Sequence, residues 1–333
     1  MVAAVQGGRT SRRIGSVFLR AFITLLMVAS LNFILFRVVP GDPAGMLLGG
    51  ARIGTTPELI EAQRKSWGLD EPLIPNQLLG YISATAKGDL GYSFKFRGRQ
   101  VIDLLLERLP STIALVGVAQ TIAIMVGVSL GIYTGWRRGG AIDHIATGVS
   151  LALYSTPAFW LGMLLVLIFS TGAGWLPGYG ASSPGGTGGF VNHFFDFARH
   201  LILPASTIAL GLMGQYVLVA RAAMSEVVSE DYMITARAKG LTGGQMLVRH
   251  AFRNAMLPVV TLVTLNLGYV VAGAITVEAV FGWPGIGGLT VEALNARDYP
   301  VLQGVFLLLG TSIVAANLLA DLMYGFLDPR VGK

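Results

Sequence analysis

Six stretches of this 333-residue chain are apolar and long enough to cross a lipid bilayer. Five of them, at roughly 110–133, 142–169, 201–223, 258–280 and 301–325, hold about twenty residues or more. At about 1.5 Å of rise per residue, such a helix spans a ~30 Å hydrocarbon core. The sixth, 17–39, carries Arg20 and Arg37 near its ends, where long side chains can snorkel to the headgroups. It is too long for the apolar part of a signal peptide, and no small-residue cleavage site precedes Pro40-Gly41-Asp42-Pro43, so it is expected to remain as a first span. Composition agrees: 53% of residues are hydrophobic and 13% charged, about half the charged share of soluble domains. The expectation is an all-α membrane protein with six transmembrane helices.

Basic residues choose the orientation. Arg9, Arg12, Arg13 and Arg20, the Arg137-Arg138 turn, the loop carrying Arg221, Arg237, Lys239, Arg249 and Arg253, and the end with Arg330 and Lys333 all fall on one side. Only Arg199 and Arg297 lie in the short loops opposite. The positive-inside bias makes the first side cytoplasmic, with both termini there. The segment 40–109 puts eight basic residues on the outer side, but it is about seventy residues long, and long segments are largely exempt from that bias. The net charge of +6 thus reflects topology and gives no reason to invoke nucleic acid. The absence of cysteine excludes disulfides and thiolate metal sites.

The organisation expected is a cytoplasmic N-terminus at 1–16, a first transmembrane helix at 17–39, an extracytoplasmic insertion at 40–109, a five-helix core at 110–325 and a cytoplasmic C-terminus at 326–333. The core includes a cytoplasmic loop at 225–257. Within the insertion a helical pattern at 57–67 is expected among Pro57, Pro72 and Pro75, and RQVIDLLLER, 99–108, puts Val101, Leu104 and Leu105 on one helical face. That predicts an interfacial helix, with Pro110 and Ser111 starting the next one. ASSPGGTGG, 181–189, reads as a flexible loop.

The loop sequence EDYMITARAKGLTGGQMLVRHAFRNAMLP, 230–258, stands out as polar and segmented. Ser229 is placed to cap a helix whose first turn holds Glu230 and Asp231, while Arg237 and Lys239 complement its last turn and Gly240 ends it in a left-handed conformation. Thr242 is placed to cap a second helix through 245–256, and Pro258 to open the fifth span. A helix of about ten residues is marginal alone in water, so something must hold it. One reading is a basic loop lying on lipid headgroups; another is a docking helix offering Tyr232, Met233 and Ala236 to a cytoplasmic partner.

The motif D-Y-x-x-T-A-R-A-K-G-L, followed by R-H-A-x-R-N-A-x-x-P, resembles the cytoplasmic loop of permease subunits of ATP-binding-cassette importers in the dipeptide/oligopeptide/nickel family, in its first-permease, B-type branch. Further marks stand in order: P-G-D-P at 40–43, G-D-L-G-x-S at 88–93, R-L-P-S-T at 108–112, S-T-P-A-F-W at 155–160, L-I-L-P-A at 201–205, V-E-A-V-F-G-W-P-G-I-G at 277–287 and D-P-R at 328–330. The resemblance implies a type I importer permease fold with a large outer insertion after the first helix, in a bacterial inner or cell membrane. It also implies the partners: a second, homologous permease subunit, two cytoplasmic ATPase subunits and an extracytoplasmic substrate-binding protein. Tyr232, Thr235, Ala236, Arg237, Lys239 and Gly240 are carried over as positions that contact the ATPase or shape the loop. The broader family's glutamate, six residues before the glycine, is absent here, since Ile234 stands there, a departure common in the peptide-type branch.

The chain itself is not expected to be an enzyme or to hold a cofactor, with ATP and Mg bound by the partner ATPases. Leu241-Thr242-Gly243-Gly244-Gln245 resembles an ATPase signature, but no glycine-rich phosphate loop ending Gly-Lys-Ser/Thr accompanies it. Within the spans, Glu278, Asn266, Gln120, Gln215 and Asn317 are candidates for the translocation pathway or its gating, because polar groups there are costly and face protein or water. Against that stand a structural role for Glu278 in pinning the Trp283-Pro284-Gly285 turn and plain interhelical bonding for the amides. Gly127, Gly131 and Gly135 form a close-packing face for another helix. His193, Asp196 and His200 share one helical face and make a possible metal set. The cargo expected is a short peptide, with nickel or another small solute as alternatives. A stand-alone channel or ion-driven carrier is the alternative of a different class.

Overall fold

The structure, a computed structural model, describes residues 2–38, 72–96, 98–184, 189–269 and 274–327. The P-G-D-P motif, the helical pattern expected at 57–67 and the D-P-R motif lie outside them. The chain divides into two units, one formed from 1–109 with 289–318 and the other from 110–288 with 319–333. The regular structure among the described residues is helical, with one isolated antiparallel bridge between Tyr92 and Gln100.

The helices, in order, are α1 (Val2–Val38), α2 (Leu78–Ala86), α3 (Val101–Trp136), α4 (Ala141–Ser155), α5 (Ala158–Leu165, continued as a π-turn to Gly172), α6 (Phe190–Val228), α7 (Asp231–Ala238), α8 (Gly243–Met246), α9 (Phe252–Tyr269), α10 (Ile275–Phe281), α11 (Ile286–Ala296) and α12 (Tyr299–Leu327). Among the described residues, four stretches are long and apolar enough to cross a membrane: Gly15–Phe36 in α1, α3, α6 and Tyr299–Asp321 in α12. The α4–α5 pair makes a fifth if counted as one span, but it is bent by 104°. The run expected as one span at 142–169 is therefore broken. Pro157 is the cause, because it holds Thr156 extended (φ −82°, ψ 128°) and withholds the amide that α4 would need to continue. The described part of the run expected at 258–280 forms two helices, α9 and α10.

Two expected helix starts are also corrected. Pro110 lies inside α3 and Pro258 inside α9, so the interfacial helix and the second span are one continuous helix. Proline is tolerated within membrane helices because neighbouring groups can satisfy the freed carbonyl.

In the first unit, Asn32 of α1 donates from Nδ2 to the Gln303 carbonyl (2.9 Å), and the Phe33 and Tyr81 rings lie 5.5 Å apart. Buried Asp298 precedes α12. Its carboxylate accepts from the Ser93 hydroxyl (2.5 Å) and from the Phe94 and Lys95 amides (3.0 Å each), fastening the Gly88-Asp89-Leu90-Gly91 loop region. In the second unit the glycine face of α3 meets α6. A Cβ at Gly127 would come within 2.9 Å of the Met213 carbonyl, at Gly131 within 2.6 Å of the Val217 carbonyl, and at Gly135 within 2.6 Å of the Arg221 carbonyl. The repeat of four keeps these positions on one side of α3, so only hydrogen there lets the two backbones approach this closely.

Candidate functional site

The short helix α7 is held by its own chain. Met233 and Ala236 (5% exposed) are buried with Met246, Ala251 and Ala255 in the same cluster as Tyr216 and Met224 of α6. Asn254 donates from Nδ2 to the Tyr232 hydroxyl (2.9 Å), tying the start of α7 to α9. Met233 and Ala236 are thus unavailable to a partner, which corrects the docking face expected from sequence. The face that remains open carries Ile234 (65% exposed), Thr235, Arg237 and Lys239. Gly240 takes φ +78°, the left-handed turn that ends the helix. Thr242 and Gln245 form a reciprocal capping box that starts α8. Ser229 does not cap α7, because its hydroxyl donates back to the Glu226 carbonyl (2.7 Å) and so finishes α6, leaving Glu230 at the N-cap without a side-chain bond.

Sequence spacing did not point to an ion pair beside this loop. Arg221, counted as a loop residue, lies inside α6 and grips the buried carboxylate of Asp143 in α4 through Nε and through Nη2 (2.9 Å). The same carboxylate accepts from the Gly139 amide (2.9 Å). The α3–α4 turn is thereby fastened to the helix that leads into α7. Seventy-eight residues separate the partners, so no local pattern reveals them.

Three of the span amides meet. Gln120 donates from Nε2 to the Tyr216 hydroxyl, and Asn266 donates from Nδ2 to the same hydroxyl (3.1 Å) and to the Gln215 side-chain oxygen (3.3 Å). This network joins α3, α6 and α9 around a phenol that no sequence pattern singles out. Gln120 and Asn266 line a cavity of about 260 Å³, with Tyr154, Thr156 and Thr207 among its other walls. Asn317 is exposed on α12, in the first unit.

Glu278, within α10, is wholly buried and carries its carboxylate to the turn that follows the helix. Its carboxylate accepts from the Thr112 hydroxyl (2.7 Å) and from the Gly287 and Gly288 amides (2.7 and 3.2 Å). Trp283 lies in the same turn and donates from Nε1 to the Ser111 carbonyl (3.0 Å). A Cβ on Gly285 would run into the Glu278 carboxylate and the Thr112 hydroxyl, and one on Gly287 would come within 3.0 Å of the same carboxylate, so these two glycines make room for it at the centre of the turn. The geometry is that of a structural clasp.

The possible metal set does not form. Asp196 is occupied by the Ser183 amide and hydroxyl (2.7 Å each), His200 is buried with Nδ1 against the Asp196 carbonyl (2.8 Å), and His193 is exposed. Among the described residues, no group of three His, Cys, Asp or Glu is placed to hold a metal ion.

Comparison with known proteins gives two family matches. Residues 127–333 match the model described as binding-protein-dependent transport system inner membrane component, and residues 12–116 match the N-terminal model of such membrane components. The dipeptide transport system permease protein DppB of Escherichia coli K12 is 39% identical over 339 residues, covering 96% of this chain and 97% of the relative. The di/tripeptide transport system permease protein DppB of Pseudomonas aeruginosa is 38% identical, covering 92% and 95%. A probable peptide ABC transporter permease protein of Sinorhizobium fredii is also 38% identical, with the same coverage.

Proposed function

The chain belongs to the family of binding-protein-dependent transport system inner membrane components, and from that premise we propose that it is the permease subunit of an ATP-driven importer of short peptides. In this reading it crosses the membrane six times with both termini in the cytoplasm. It pairs with a second, homologous permease subunit, so that each chain forms half of the pathway. A binding protein delivers the peptide from outside, and the insertion at 40–109 meets it. Two cytoplasmic ATPase subunits bind ATP and Mg, and one of them docks on α7 of this chain.

The observation that carries the coupling role is the two-sided character of α7. Its buried side, Met233 and Ala236, is continuous with the core of the long helices, and its open side presents an apolar residue, Ile234, beside the cations of Arg237 and Lys239. A push on such a helix is transmitted to α6 and α9, since the packed cluster leaves little slack. The Asp143–Arg221 pair extends the same rigid body to α4.

Co-purification tests the docking. Ile234→Asp with Arg237→Glu leaves the buried side of α7 intact, so the detergent-extracted protein should keep its partner permease and lose the ATPase subunits that accompany wild type. A variant that retains the ATPases at wild-type stoichiometry would remove α7 from the interface.

A further inference from the structure

The chain is helical from Gly243 to Tyr269, through α8, a π-turn at Leu247–Ala251 and α9, and this stretch has two unlike sides. Ala251, Ala255 and Val259 are wholly buried in the cluster that also holds Met233 and Tyr216. The other side is open: Val248 is 69% exposed, and Phe252 and Leu257 are 45% exposed each. Arg249 and Arg253 stand exposed beside them, with no hydrogen bond or ion pair among the described residues. No Asp or Glu occurs between Asp231 and Glu278, so no acid on the stretch itself answers these cations. The open face of α7, with Ile234 and Arg237, belongs to a different helix.

We propose that this side rests in the headgroup layer of the cytoplasmic leaflet, where Arg249 and Arg253 hold the phosphates of anionic phospholipids and Val248 and Phe252 sit among the glycerol and upper acyl groups. The inference rests on the membrane topology of the importer reading and adds a lipid ligand to it. Depth selects the occupant. The stretch runs without a helix break into the apolar segment that begins near Pro258. At about 1.5 Å per residue, Arg253 stands about 8 Å and Arg249 about 14 Å before that proline. The headgroup layer is about 5–8 Å thick on each side of the bilayer, so Arg253 lies at its edge and the long side chain of Arg249 snorkels back to it. Two unpaired cations match the negative surface of that leaflet, and the apolar residues between them suit a layer that is oily below and wet above. Asn254 of the same stretch donates to the Tyr232 hydroxyl (2.9 Å), so the lipid contact seats the helix to which α7 is tied.

The test places a benzophenone amino acid at Val248 in the complete transporter, reconstituted into vesicles of equal parts phosphatidylcholine and phosphatidylglycerol. After irradiation, mass spectrometry identifies what is attached to this chain. Expected is a lipid adduct in which phosphatidylglycerol exceeds phosphatidylcholine about tenfold, as two arginines near an anionic surface imply. Arg249→Gln with Arg253→Gln should abolish the excess, and Arg249→Lys with Arg253→Lys should keep it; both pairs change only open surface, so the fold is left alone. An adduct to an ATPase subunit or to the partner permease would overturn the proposal. Equal capture of the two lipids, or an excess unchanged in the glutamine pair, would overturn it as well. ATP-driven uptake of a dipeptide by the same vesicles is measured beside it: its absence from wild type would defeat the importer reading, while the adduct at Val248 still decides this inference.

Discussion

Glu278 and Gly285 are a matched pair, a buried carboxylate and the hydrogen atom that leaves room for it. Removing the carboxylate in Glu278→Ala strands the Thr112 hydroxyl and the Gly287 and Gly288 amides. Stranded buried donors of this kind cost about 1–3 kcal/mol each. The expected result is a clear fall in the thermal midpoint of the detergent-solubilised protein, and Gly285→Ala should act in the same direction because its Cβ meets the same carboxylate. If Glu278→Ala instead leaves the midpoint unchanged and alters only transport, Glu278 belongs to the pathway. At this scale the sequence was legible wherever a residue type was unusual for its surroundings, as with Glu278, Gln120 and Asn266. It was silent on Tyr216, Asp298 and the Asp143–Arg221 pair, because tyrosine is ordinary in a membrane helix and the two carboxylates find their donors through the fold alone.

Between elements, close approach and a buried ion pair hold the second unit together. Gly131→Leu would push its side chain into the Val217 carbonyl and Ala220, separating α3 from α6. The expected outcome is loss of folded protein on size-exclusion chromatography, whereas the same change at Gly117, where a Cβ meets nothing within 4 Å, should be tolerated. Asp143→Asn keeps the shape but leaves the Arg221 guanidinium without its anion. Breaking a partly buried pair from one side is more costly than the pair is worth. The variant should lower transport per ATP hydrolysed while ATPase subunits stay attached; wild-type coupling would confine the pair to a structural role. The sequence located most helices because apolar length and end chemistry are local properties. It misjudged ends where one proline had two outcomes: Pro110 and Pro258 are absorbed inside helices, and Pro157 bends one by 104°. Which outcome occurs depends on neighbours that accept the freed carbonyl. The hold on α7 was equally hidden, since Met233 and Ala236 look no different from the exposed residues between them until α6 and α9 are packed beneath.

For the molecule as a whole, the account is that the chain supplies a path and a lever, and other subunits supply energy and cargo. No phosphate loop is present in the sequence, and the open face of α7 offers a partner Ile234 and Arg237. Uptake of a labelled dipeptide into proteoliposomes, with each partner added in turn, tests this most directly. The account predicts concentrative uptake when both permease subunits, the ATPase subunits, ATP with Mg and the binding protein are all present, and loss of it in Ile234→Asp with Arg237→Glu. Uptake by the chain alone, running down the peptide or a proton gradient without ATPase subunits, would contradict it and make the protein a channel or an ion-driven carrier.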